Sequence, residues 1–180
     1  MRLVAAALAA LAFALGGGAR AAGVLQLTSP TFADGAPIPR ASAYDGDGCG
    51  GLNRPPVLVW RGVPAGTRSF ALEVFDPDAR PNGWWHWVRF DIPASLRRLD
   101  GDAPGGTGSG SDGRNSFGSR GYGGPCPPPG ELPHHYRFTL FALDVAHLGL
   151  GPASDGAQLE SRLAGHVLAR ALLVGRYGRP

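Results

Sequence analysis

Residues 75–91, FDPDARPNGWWHWVRFD, concentrate side chains that could bind or transform a ligand. Asp76, Asp78 and His86 lie within this short stretch, and Trp84 stands two residues before the histidine. An apolar–polar alternation typical of a strand runs up to the acids, and a second one begins at His86, with proline, asparagine and glycine between them. We therefore predict that the acids and the histidine lie at neighbouring strand ends, where a rigid sheet presents functional side chains.

A second stretch, residues 123–144 (GGPCPPPGELPHHYRFTLFALD), places two histidines and a tyrosine after a glycine- and proline-rich turn. Alternate side chains of a strand share a face, so we expect His134 and Tyr136 to point one way and His135 the other. The two stretches together predict one cup that is lined from both strand starts, by Asp76, His86, His134 and Tyr136.

The side chains of this cup suit the binding of a small anion. Histidine donates an N–H and becomes a cation below about pH 6.5, and tyrosine donates an O–H. An ionised Asp76 cannot itself bind an anion, so we expect it to hold a histidine ring in one tautomer. Trp84 and Trp87 are expected to form apolar walls for the organic part of a ligand.

Metal-dependent and hydrolytic chemistry fit the same residues less well. His86, His134 and Asp76 are a three-ligand set for a metal ion, but no paired-histidine or paired-cysteine motif supports one. The sequence has no G-x-S-x-G elbow and no recognised cysteine-nucleophile motif, and no base can be assigned to the nearest candidates, Ser116 and Cys126. We therefore predict a non-catalytic binding protein without metal or cofactor.

Four motifs, in this order, resemble the phosphatidylethanolamine-binding protein (PEBP) family, also called Raf kinase inhibitor-like proteins, in its bacterial YbhB/YbcL-type branch. They are DPDA, WWHWV, GRNSFG and GGPCPPPG followed by PHHY. The resemblance covers residues 24–177 and implies a mostly β fold, a sandwich of two antiparallel sheets with one or two small peripheral helices. It carries the ligand-pocket residues of the family over to Asp76, Trp84, His86, Pro128, His134 and Tyr136. We assign Asp78, the second acid of DPDA, to the same ligand-binding set.

The resemblance also implies a ligand class, a small phosphorylated or carboxylated headgroup. It leaves a second interpretation open, in which the pocket rim and loops inhibit a kinase or a protease as a protein partner.

One departure from the family pattern stands out. The family usually reads DPDAP, whereas here Arg80 separates Ala79 from Pro81. We predict that the Arg80–Pro81 peptide is cis, because X–Pro bonds adopt cis appreciably often and tight turns favour it.

The first 21 residues have the features of a secretory signal peptide, with Arg2, an apolar run over residues 3–15 and an A-x-A site ending at Ala21. The run is well short of the ~20 apolar residues that span a bilayer, which disfavours a membrane anchor. We predict cleavage after Ala21, one domain over residues 22–180, and a periplasmic or secreted protein.

The charge of the chain gives little electrostatic reason to expect nucleic acid or a membrane as a partner. Loss of residues 1–21 would remove two arginines and no acid, so the net charge would fall from +3 to +1. So small a charge supports neither a phosphate-backbone surface nor attachment to an anionic membrane. We therefore predict no nucleic acid binding and no stable membrane insertion.

Cys49 and Cys126 are the two cysteines of the chain, and both lie in glycine-rich turns. An exported protein meets an oxidising compartment, where an even cysteine count favours a disulfide. We predict a Cys49–Cys126 bridge, with two free thiols as the alternative.

The remaining patterns predict short strands, one late helix and a mobile loop. Strands are expected at residues 24–27, 36–39, 57–60 and 172–177. An amphipathic helix is expected over residues 156–171, because apolar side chains recur there at four-residue spacing. Residues 101–113 are mostly glycine and serine without an apolar pattern, which predicts a mobile surface loop.

Overall fold

The computed structural model describes residues 24–79, 81–100 and 109–180. The predicted signal peptide, the Arg80–Pro81 peptide and residues 101–108 of the predicted mobile loop lie outside the described residues. The elements in chain order are β1 Gln26–Thr28, β2 Leu58–Arg61, β3 Ser69–Asp76, β4 Trp84–Pro93, β5 Arg98–Leu99, β6 Ser111–Asp112, β7 His134–Leu143, α1 Gly156–Leu163 and β8 Val167–Tyr177.

The strands form two antiparallel sheets. A three-stranded sheet has the order β1-β2-β5, and a five-stranded sheet has the order β6-β4-β3-β7-β8. The long central strands of the larger sheet, β3, β4 and β7, contain the two sequence stretches that carry the predicted site. The predicted sandwich of two antiparallel sheets is confirmed.

The pleat of β3 explains where the main core lies. Phe70, Leu72 and Val74 alternate onto the face that meets the small sheet, where they join Leu58 and Trp60 in one buried cluster. Burial of large apolar side chains from both sheets is the main force that holds the sandwich together. The site described below therefore stands at the end of a rigid, well-packed layer.

The other face of the large sheet is covered by α1. This helix begins with a capping box, in which Asp155 and Gln158 each accept a hydrogen bond from the other residue's backbone N–H. It packs Leu159 and Leu163 against a second apolar cluster on that face. Within the described ranges, no helix has the length and apolar character needed to cross a membrane.

The predicted helix over residues 156–171 is too long. Helix α1 ends at Leu163, and Gly165 follows with a φ of 82°, a left-handed conformation that glycine adopts without strain. The chain then turns into β8, where Ala171 pairs with Leu140 of β7. Pairing with β7 outweighs the helical spacing of the apolar residues, so the predicted closing strand over residues 172–177 is confirmed but starts earlier.

Two further predictions about local structure need correction. Residues 36–39 do not form a strand, because Pro37 and Pro39 lack an N–H, and the segment makes only an isolated bridge between Pro37 and Arg176. The predicted loop over residues 101–113 contains β6, which pairs with Arg89 and Phe90 of β4.

A disulfide joins Cys49 to Cys126, with a Cα–Cα distance of 5.5 Å. The bridge ties the glycine-rich turn that precedes β2 to the glycine- and proline-rich turn that precedes β7. The predicted pairing is confirmed, and the alternative of two free thiols is wrong.

Candidate functional site

A cavity of about 830 Å³ lies at the end of the large sheet where β3 stops and where β4 and β7 start. The antiparallel register brings the strand ends together, because Asp76 is paired with Trp84 and Phe75 is paired with Arg137. All seven residues of the predicted ligand-binding set line this cavity: Asp76, Asp78, Trp84, His86, Pro128, His134 and Tyr136. The strand alternation is as expected, since His134 and Tyr136 are buried and His135 is exposed.

His134 is held between two carboxylates. Its Nδ1 lies 2.7 Å from Oδ2 of Asp76, and its Nε2 lies 3.1 Å from Oε2 of Glu131. Both ring nitrogens can donate to these acceptors only when the ring is protonated. Burial opposes the charged ring, but the hydrogen bonds to Asp76 and Glu131 outweigh it, and the pKa of His134 is raised. His134, when protonated, and Arg179 are therefore the cationic side chains that line the cavity.

The two acids of the DPD motif organise the turn that carries them. Oδ1 of Asp76 accepts hydrogen bonds from the backbone N–H groups of Asp78 and Ala79, at 2.8 and 3.2 Å. Oδ2 of Asp78 accepts from both the backbone N–H and the ring Nδ1 of His135. Asp76 thus orients the ring of His134, as its chemistry suggested. The pKa of Asp78 is lowered because these hydrogen bonds from His135 outweigh its partial burial.

His86 is buried and neutral at ordinary pH. Burial lowers its pKa to about 4, although the carbonyl of Gly123 and the charge of Asp76 act in the opposite direction. Nδ1 of His86 lies 2.7 Å from the carbonyl oxygen of Gly123, which accepts only if Nδ1 carries the proton. Nε2 of the neutral ring is therefore a hydrogen-bond acceptor, in contrast to the doubly protonated His134.

Two buried hydrogen-bond donors on the cavity wall have no well-formed partner among the described residues. They are the hydroxyl of Tyr136, whose residue is 1% exposed, and Nε1–H of Trp84. Burial, and then the nearby charge of Asp76, raise the pKa of Tyr136 above its ordinary range, so the hydroxyl keeps its proton. An unsatisfied buried donor costs free energy, which a ligand acceptor would recover.

Aromatic side chains form the apolar part of the cavity. The ring of Phe117 lies 5.3 Å from Trp84 and 5.5 Å from His86, centroid to centroid, both edge to face. Trp87 was predicted to form a wall of the cavity, but it does not line the cavity. Its side chain points into the inter-sheet core, and Nε1–H donates to Oδ1 of Asp112 at 2.9 Å.

The residues considered as nucleophiles are not activated. The sulfur of Cys126 is bonded to Cys49, so it is not a free thiol. The hydroxyl of Ser116 accepts a hydrogen bond from the backbone N–H of Trp85 at 2.9 Å. The ring nitrogens of His134 face carboxylates.

Comparisons with known proteins identify the family of the chain. A sequence model of the family described as "Phosphatidylethanolamine-binding protein" matches residues 28–178. The chain belongs to this family. It is 40% identical over 162 residues to the UPF0098 protein YbcL of Escherichia coli K12, which covers 87% of this chain and 88% of YbcL. The crystal structure of E. coli YbcL, described as a new member of the mammalian PEBP family, matches with a TM-score of 0.82 at 39% identity, over 87% of this chain and 99% of that one.

A mycobacterial protein is a further relative of the chain. LppC of Mycobacterium tuberculosis, which is named as a candidate lipoprotein, is 44% identical over 160 residues, covering 88% of this chain and 75% of LppC. The predicted PEBP family, its YbhB/YbcL-type branch and its fold are confirmed.

The cavity is also lined by residues that the sequence analysis did not assign to the ligand-binding set: Asp47, Ala79, Ser116, Phe117, Cys126, Pro127, Glu131 and Arg179. Glu131 could have been found from its position three residues before His134. The sequence around Arg179 gave no indication of a role in the cavity. Its guanidinium reaches the cavity by donating to the carbonyl oxygens of Pro127 and Gly48, which are remote in sequence.

The described residues contain no group of three or more histidine, cysteine, aspartate or glutamate side chains arranged to hold a metal ion. In particular, Asp76, His86 and His134 are not arranged as such a ligand set.

Proposed function

We propose that this PEBP-family protein is an exported binding protein that holds the phosphate or carboxylate group of a small ligand without turning it over. The observation that carries the proposal is the combination, in one cavity, of the His134 ring, held between two carboxylates, with the buried hydroxyl of Tyr136 and Nε1–H of Trp84, neither of which has a well-formed hydrogen bond among the described residues. A tetrahedral oxyanion has enough acceptor oxygens to pair with all three donors. The name of the family suggests phosphoethanolamine as a headgroup for the first tests.

Aromatic packing around the cavity supports an organic ligand over a bare ion. Trp84 and Phe117 offer apolar surface next to the polar groups, and a concave site with apolar walls and few placed polar groups is typical of small-molecule binding. The absence of an activated nucleophile among Ser116 and Cys126 supports binding without covalent turnover. Steady release of product from any phosphate or carboxylate ester would overturn this part of the proposal.

Tyr136→Phe is the most selective test of the binding site. The substitution removes a hydroxyl that has no well-formed partner and keeps the ring, so the fold should be as stable as before or slightly more stable. A lost hydrogen bond to a charged ligand costs about 1.5–3 kcal/mol, so the Kd for O-phosphoethanolamine should rise roughly ten- to more than a hundredfold. Calorimetry, together with thermal melts of both proteins, measures both effects.

A matched pair of histidine variants tests the role of the cation. His134→Gln removes the charge in the cavity, whereas His135→Gln changes the adjacent, outward-facing ring that pairs with Asp78. We expect weaker binding only for the first variant. Equal affinity in wild type, Tyr136→Phe and His134→Gln would rule out this cavity as the binding site.

The pH dependence should follow His134, whose pKa is raised because its hydrogen bonds to Asp76 and Glu131 outweigh the opposing effect of burial. Sulfate is a suitable probe because its own charge is constant in this range. Its affinity should be highest below the pKa of His134 and should fall as the pH rises through that value. His86, with a pKa of about 4, should contribute a further gain only in strongly acidic solution.

The proposed export rests on the amino-terminal sequence, with support from the naming of LppC as a candidate lipoprotein. Intact mass spectrometry of the protein isolated from the periplasm or medium of its host should show a chain that begins at Ala22. A full-length chain recovered from the cytoplasm would contradict the proposed cleavage.

A further inference from the structure

Glu131 contacts Nε2 of His134, the ring nitrogen that Asp76 does not contact. Asp76 holds Nδ1 of the ring from inside the protein, and its own carboxylate is nearly completely buried. Glu131 contacts Nε2 from the cavity mouth, and its side chain is 55% exposed while that of His134 is 8% exposed. The cationic ring therefore already has an anion in the position where the ligand's oxyanion would have to bind.

The turn that carries Glu131 is anchored, but its side chain is free to leave. Gly130 has a φ of 78° and donates its backbone N–H to the carbonyl oxygen of Arg179 at 3.1 Å, which fixes the backbone before Glu131. Among the described residues, His134 is the one hydrogen-bond partner of the Glu131 carboxylate. An exposed ion pair of this kind contributes little free energy, so a better anion can replace it.

We propose that Glu131 is a resident competitor for the anion-binding position, so that a ligand binds only by displacing its carboxylate from His134. This inference rests on the proposed function and concerns the same cavity. The exchange of the Glu131 carboxylate for a ligand should favour some classes of anion over others. A free carboxylate would make with His134 the same bond that Glu131 loses, whereas a phosphate has further oxygens for Tyr136 and Trp84. The site should therefore bind phosphate in preference to carboxylate ligands.

Glu131→Gln tests the competition directly. Removal of the carboxylate takes away both the competing bond and the repulsion between the displaced carboxylate and the bound anion. The Kd for inorganic phosphate should fall by roughly three- to tenfold, as expected for one exposed charge at this distance. The titrations should be run below the pKa of His134 in both proteins, as fixed by the histidine NMR titration of each. Glu160→Gln, an exposed glutamate on α1 outside this cavity, is the matched control and should leave the Kd unchanged.

Acetate provides a second arm of the same experiment. Wild-type protein should bind acetate more weakly than phosphate, because the exchange of one carboxylate for another gains little. Acetate that binds wild type as tightly as phosphate would overturn the proposed preference.

A ligand-free measurement makes the inference testable even if the affinities are small. The charged and titratable groups that line the cavity with His134 are Asp47, Asp76, Asp78, His86, Glu131, Tyr136 and Arg179. Glu131→Gln removes one carboxylate from this set, so the ring of His134 should titrate at lower pH in the NMR spectrum of the variant. An unchanged titration, or equal phosphate affinity in wild type and Glu131→Gln, would overturn the competitor role and leave the proposed function standing. Loss of phosphate binding in all three proteins would overturn both.

Discussion

Removal of the Cys49–Cys126 disulfide should lower the free energy of unfolding by about 4.5 kcal/mol. The bridge closes a loop of 77 residues, and in the chain-entropy model a loop of this length restricts the unfolded chain by that amount. Both cysteines lie in turns that flank the cavity, and Cys126 lines it, so the same change should loosen the cavity wall. Denaturant unfolding of Cys49→Ala/Cys126→Ala measures the loss.

Wild-type protein unfolded in the presence of a thiol reductant is the control for this variant. Its stability should approach that of the double variant, because the covalent constraint is absent in both. A double variant that loses less than about 1 kcal/mol would show that the two turns are held mainly by non-covalent contacts.

The second large effect should come from Glu73, which lies on β3 beneath α1. Its side chain faces the outer side of the sheet, the residue is 9% exposed, and its Oε2 has no hydrogen-bond partner among the described residues. Burial, and then the charge of Glu160, raise the pKa of Glu73 from 4.5 to about 7. The folded protein therefore binds this proton more tightly than the unfolded chain does.

The sign of the pH effect follows from that difference. The stabilising contribution of protonated Glu73 is complete below about pH 4.5, decreases as the pH rises, and is lost above about pH 7. The shift corresponds to about 3 kcal/mol. Glu73→Gln has no ionisable group, so its stability relative to wild type should increase by up to about this amount between pH 4.5 and pH 8.

Denaturant unfolding of both proteins at several pH values measures this difference. Asp45→Asn is the matched control, because it removes an exposed carboxylate from the loop that precedes β2. Parallel curves of stability against pH for wild type and Glu73→Gln would show that Glu73 titrates normally in the folded protein.

Much of the fold follows from short-range patterns in the sequence. The alternation around Phe70 and Val88 predicted the central strands, and the positions of His134 and Tyr136 on alternate residues predicted their shared face. Such alternation is informative because one face of each strand is buried, so the pattern of side chains fixes the register. The resemblance to the PEBP family supplied the two-sheet architecture.

Other features depend on contacts between distant segments, which no local pattern encodes. The helical spacing after Leu163 was misleading, because Gly165 ends the helix and pairing with β7 stabilises β8. Trp87 was assigned to the cavity, but the pleat of β4 points it into the core beside Asp112. Arg179 was missed because it approaches the cavity from the far end of the chain.

Histidine NMR gives the most direct test of the central claim, that this cavity binds a small oxyanion through His134. The chain contains five histidines, of which His86 and His134 line the cavity. The other three do not line it, and they pair with Asp78, Asp91 and Asp144. In protein labelled with ¹⁵N in histidine and titrated with O-phosphoethanolamine, the account predicts saturable shifts of the ring nitrogens of His134 and His86 only. Shifts confined to His135, His147 and His166, or no saturable shift at all, would contradict it.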